Sequence, residues 1–138
     1  MSYLLDTNVV SELRKRTADA HVARWADGIP KREAFLSVVT IREIEAGVLL
    51  VERRDERQGR LLRRWLETDV ITGYAARVLP VDLPVARRAA ALHVPDPRPE
   101  RDALIAATAL VHGLTVATRN QSDFAPMQVT VVNPWDVV

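Results

Sequence analysis

The segment Tyr3-Leu4-Leu5 is apolar without alternation and stops at the polar triplet Asp6-Thr7-Asn8. A strand apolar on both faces belongs inside a sheet that is covered on both sides. Similar runs recur at residues 34–39, 78–81, 115–117 and 129–132, with Pro80 marking the third as an edge strand or a strand end. Helical patterns fall between them, at residues 9–13, 19–26, 84–93 and 100–112. Gly28 with Pro30 and, later, Gly113 mark helix ends, and Pro95, Pro97 and Pro99 make a rigid loop ahead of residue 100. Strand and helix alternate throughout, which predicts an α/β fold with a mostly parallel central sheet and helices on both faces. Between residues 40 and 72 two helical stretches follow one another without a strand. They predict a projecting hairpin with Leu61, Leu62, Trp65 and Leu66 inward and Arg60, Arg63 and Arg64 mostly outward.

A chain of 138 residues is in the size range of a single domain, so residues 1–138 are expected to share one core. With no cysteine, a disulfide framework, a thiolate zinc site and a cysteine nucleophile are all excluded. The chain shows neither a basic leader nor an apolar stretch of bilayer-spanning length, and a cytoplasmic location without membrane contact is expected. Of its 19 basic residues 17 are arginine. Arginine suits phosphate recognition, but a GC-rich genome explains the excess equally well.

The chemistry is carried by Asp6, Glu43, Asp102 and Asp123. Asp6 ends the first strand, Asp102 opens the helix after Pro99, and Asp123 follows the polar loop Thr118-Arg119-Asn120 beyond the fourth strand. Each has an ordinary explanation: aspartate caps helices and makes turns, and Thr40-Ile41-Arg42-Glu43 fits a capping box with Thr40 as the cap. In a parallel sheet, however, all four positions fall at the carboxyl edge, where ligands bind. Clustered carboxylates raise one another's pKa unless a cation joins them. Oxygen donors without cysteine or a nearby histidine match Mg2+ or Mn2+ and not zinc; His21, His93 and His112 are surface or packing residues. No phosphate-cradling glycine loop and no G-x-S-x-G elbow occurs. Metal-assisted hydrolysis of a phosphodiester is the natural assignment.

The segments Leu4-Leu5-Asp6-Thr7-Asn8-Val9-Val10-Ser11-Glu12, Ser37-Val38-Val39-Thr40-Ile41-Arg42-Glu43, Asp102 to Ala109 and Val116-Ala117-Thr118-Arg119-Asn120 resemble PIN-domain proteins in the same order. The closing Asn133-Pro134-Trp135 is similar to the FitB-like branch of the VapC toxins. The resemblance spans nearly the whole chain. It implies a metal-dependent endoribonuclease, the toxin of a type II toxin–antitoxin pair. Such a protein would form a homodimer, be silenced by a small antitoxin and reach operator DNA only through that antitoxin. It also implies Asp6, Glu43 and Asp102 as metal-binding acids supported by Thr7, Asn8 and Thr118. Where FitB-like relatives often carry a fourth aspartate this chain has Asn120, with Asp123 three residues later as the acid that would compensate.

Two other functions fit parts of the pattern. Asp6 after a strand suggests an aspartate-based phosphotransferase, although neither Lys15 nor Lys31 follows a strand end to serve it. An acidic crevice beside a helical hairpin also suits a binding module that holds a basic segment without turnover.

Overall fold

The computed structural model describes residues 1–136. Strands β1 (Tyr3–Leu5), β2 (Ala34–Ser37), β3 (Val78–Leu79), β4 (Thr115–Ala117) and β5 (Val131–Val132) form one sheet in the order β3-β2-β1-β4-β5. Every pairing is parallel, with Leu5 opposite Ala117 at the carboxyl end of β1. All carboxyl ends therefore lie along one edge. The strand order turns back between β1 and β4, which opens a crevice at that edge.

Among the described residues seven α-helices accompany the sheet: α1 (Thr7–Arg14), α2 (Ala20–Asp27), α3 (Val38–Arg54), α4 (Glu56–Arg64), α5 (Leu83–Leu92), α6 (Glu100–His112) and α7 (Gln121–Phe124). Alternate strand residues feed two cores. Leu4, Phe35 and Val116 pack with Ala103, Ile105, Ala106 and Phe124, whereas Leu5, Leu36 and Ala117 pack with Val9, Val22, Ile44 and Val48. Each fully buried Leu, Ile, Val or Phe side chain among them contributes about 1.5–3 kcal/mol, and each alanine less. Both faces are thus apolar, which is why β1 reads as a continuous apolar run.

Helix α6 shows how local signals place the site. Pro99 precedes its first turn, and Gly113 ends it in the left-handed region at φ 66°, with Leu114 N–H donating back to Ala109 O at 2.8 Å. The fully buried Ala103, Ala106 and Ala107 let the helix lie close on its neighbours, which keeps Asp102, in the first turn, at the sheet edge.

Two expectations are corrected. Strand β2 stops at Ser37, and α3 starts at Val38. Ser37 is the cap, its Oγ accepting from Val39 N–H at 3.0 Å, and Thr40 lies buried inside the first turn. The Thr40–Glu43 capping box is therefore not formed, and the Glu43 carboxylate is available for other partners. In the hairpin, Leu62, Trp65 and Leu66 face the core but Leu61 is 54% exposed. The inward stripe of α4 passes through Gly59, where an added Cβ would stand 2.7 Å from Glu52 Cα of α3, and Leu61 falls beside that stripe. Nor does Arg63 point away: it bridges to Glu45 at 2.7 Å and Glu52 at 3.0 Å on α3. Beyond α4 the chain continues through a wide π-helical segment, Trp65–Thr72. Among the described residues no helix is long and apolar enough to cross a membrane.

Candidate metal centre

Asp6 leaves β1 at its carboxyl end and is completely buried. Its backbone N–H continues the sheet to Ala117 O at 2.9 Å, so the side chain is carried on rigid backbone. Oδ1 accepts from Thr7 N–H at 2.8 Å, the first free amide of α1, and Oδ2 accepts from Thr118 Oγ at 2.7 Å. Asp6 thus caps α1 while its carboxylate joins the acidic cluster at the sheet edge. Thr118, also fully buried, accepts in turn from Asn8 Nδ2 at 3.3 Å and Asn120 N–H at 3.0 Å. The β1 and β4 ends are in this way tied across the crevice by one hydroxyl.

Glu43 enters from α3 and accepts a short hydrogen bond from Thr7 Oγ1. Asp102 enters from the first turn of α6 and is 7% exposed. All three carboxylates converge on Arg101, the residue before Asp102. Its Nε and Nη2 grip both Glu43 oxygens at 2.6 and 2.9 Å, its Nη1 donates to Asp102 Oδ1 at 2.9 Å, and Nη2 also donates to Asp6 Oδ1. Burial alone would raise the Glu43 carboxyl, but the hydrogen bonds from Arg101 and then Thr7 outweigh it and hold the group below the usual glutamate range. Burial opposes the charge on Arg101, and the bonds to Glu43 and Asp6 more than offset it, so its pKa is raised.

Asn8 Oδ1 accepts from Arg119 N–H at 3.3 Å, and the Arg119 guanidinium lies 5.0 Å over the Trp135 ring, joining this loop to the closing Asn-Pro-Trp segment. Asn120 and Asp123 are exposed, the latter within α7. Among the described residues no hydrogen bond or ion pair joins Asp123 to the other three acids. Glu45 turns away to Arg63, and His93 closes its own loop by accepting from Arg98 N–H at 3.0 Å.

The donor set is carboxylate and hydroxyl oxygen, which suits a hard divalent cation. As they stand, though, no three acidic or imidazole side chains among the described residues are arranged to hold a metal ion, and the Arg101 guanidinium lies among Asp6, Glu43 and Asp102. The missed residue was Arg101. Its one signal in the sequence was its place next to Asp102, which does not by itself select it from the other arginines. A groove of about 250 Å³ opens beside the site, lined by Thr7, Glu43, Ile44, Gly47, Leu62 and Trp65 among others. Another hollow, of about 220 Å³ between Leu13, Trp25, Tyr74 and Arg77, touches none of the three acids.

A parallel five-stranded sheet with acids gathered at its carboxyl edge defines the class, and the PIN domain family model matches residues 3–127. The chain belongs to the PIN domain family. Across 96% of its length it is 37% identical to toxin FitB of Neisseria gonorrhoeae, covering 97% of that protein. It is 36% identical to VapC ribonuclease Y4jK of Sinorhizobium fredii, with the same coverage of both chains. The solved structure of FitAB bound to an IR36 DNA fragment contains a chain that superposes with a TM-score of 0.90 at 33% identity, over 99% of this chain and 97% of that one.

Proposed function

We propose that this chain is a metal-dependent endoribonuclease and the toxin of a toxin–antitoxin pair, with Asp6, Glu43 and Asp102 holding Mg2+ or Mn2+. The observation that carries the proposal is the convergence of carboxylates from β1, α3 and α6 on a single cationic group. A divalent cation bound there would activate water and neutralise charge developing on the phosphoryl group. The chain's own groups fix the geometry: Thr7 and Thr118 orient Asp6, Thr7 also orients Glu43, and Asn8 holds Thr118. Asn120 and Asp123, both exposed, are the groups from which a further ligand would have to be drawn.

The names of the relatives support the rest: one is a toxin, one a ribonuclease, and FitAB is a complex seen on DNA. A small antitoxin would cover the groove between α1, α3 and α4 and link the chain to operator DNA. An RNA substrate supports a cytoplasmic location. For the expected homodimer, Leu83 and Val111, exposed around one hollow of the α5–α6 face, are candidate contacts.

A binding module without turnover draws on the acidic pocket's grip on a guanidinium. Aspartate-based phosphotransfer draws on Asp6 alone, whose two oxygens are already engaged and which has no lysine beside it. Incubating the purified protein with RNA separates these possibilities. Cleavage should require Mg2+ or Mn2+, stop with chelator and vanish in Asp6→Ala. Equal cleavage by Asp6→Ala would end the assignment.

A further inference from the structure

We propose that Arg101 is a built-in counter-ion, one that closes the three carboxylates when metal is absent and competes with a divalent cation for them. The proposal rests on the metal reading above and adds a gate to it. Arg101 donates to all three acids at once, gripping Glu43 with two parallel bonds. Its fork places the acceptors around a flat rim, each about a hydrogen bond from a nitrogen, whereas Mg2+ draws oxygens to about 2.1 Å from one centre. The same carboxylates cannot satisfy both geometries. The two cations are therefore mutually exclusive at these acids.

Some cation is required there. Asp6 has no solvent exposure and Asp102 very little, so three ionised groups without a counter-charge would be both desolvated and mutually repelled. Arg101 meets that need without leaving the chain. It also has a way out: its side chain is 32% exposed, and it stands in the first turn of α6 next to Asp102. Rotation about its side-chain bonds releases the acids without moving the helix that carries Asp102. An arginine at this place thus keeps the apo protein folded and sets a threshold of metal concentration for the active form.

Calorimetric titration of the full chain with Mn2+ tests this. Arg101→Gln should bind Mn2+ about tenfold tighter than the parent or more, corresponding to about 1.4 kcal/mol. Its metal-free form should melt lower and gain more from saturating Mn2+. Arg101→Lys keeps the charge but loses the fork and should fall between, which carries the affinity measurement if Arg101→Gln does not fold without metal. Arg42→Gln removes a neighbouring exposed charge and should change little. Unaltered or weaker Mn2+ binding in both Arg101 variants overturns the proposal, as does an equal gain in Arg42→Gln, which would show only a net-charge effect. If the parent binds Mn2+ and the variants bind no better, the gate fails while the metal site stands. If no form binds Mn2+, both fail together.

Discussion

Replacing Thr118 by valine should destabilise the metal-free protein by about 2 kcal/mol. The side chain is fully buried and of nearly the same shape as valine, so the cavity term is small. What disappears is the hydroxyl that donates to Asp6 Oδ2 at 2.7 Å and accepts from Asn8 Nδ2 and Asn120 N–H. A hydrogen bond to a charged group is worth about 1.5–3 kcal/mol, and the buried acceptor left behind finds no water. The added methyl regains a little through apolar contact, and the exposed Asn120 amide can turn to solvent. For a chain of 138 residues the net corresponds to a fall in Tm of roughly 7 °C. The assay is differential scanning calorimetry with chelator present, paired with urea unfolding to check that the slope is unchanged. Thr118→Ser keeps the hydroxyl and should lose only about 1 kcal/mol for its buried methyl. A Tm for Thr118→Val within about 1 °C of the parent would refute the claim that this hydroxyl ties β1 to β4 at the site, a shift far below what a charged hydrogen bond supplies.

The hairpin offers two further tests. Gly59→Ala places a Cβ 2.7 Å from Glu52 Cα, and separating α4 from α3 to relieve it should cost about 1–3 kcal/mol in urea unfolding; a neutral or stabilising result would show the helices are not in close contact there. The hydrogen bond from Arg63 holds the Glu52 carboxyl below its ordinary 4.5, although partial desolvation opposes it. A depressed carboxylate pKa contributes stability that is present above 4.5 and fades as pH falls through the lowered value. Glu52→Gln should therefore unfold at lower urea than the parent at pH 7, with the gap closing in strong acid; a gap that persists unchanged at low pH would contradict the ionic origin.

Much of this architecture was legible because backbone punctuation is local. Helix α6 runs from Glu100 to His112 as its patterning indicates, since Pro99 and Gly113 act through their own φ angles and need no partner. Strand β1 was readable because both of its faces are buried. The start of α3 was not: Ser37 and Thr40 are both good caps, and only the length of β2, set by its pairing with β1 and β3, selects Ser37. Leu61 was misplaced for a related reason, because the contact face of α4 is chosen by Gly59 against Glu52 and not by α4's own periodicity. Asp6, Glu43 and Asp102 could be brought together on paper by topology alone, as strand order is enough to put them at one edge. Arg101 could not be singled out from 17 arginines, because its direction depends on where Glu43 and Asp6 sit in three dimensions.

The central claim is that Asp6, Glu43 and Asp102 hold a divalent cation. Crystals of the protein soaked in Mn2+ and measured for anomalous scattering test it most directly. The account predicts a strong anomalous peak among these three carboxylates, with the Arg101 guanidinium withdrawn from between them. A peak elsewhere, or none at saturating Mn2+ with Arg101 still joined to all three acids, would contradict it.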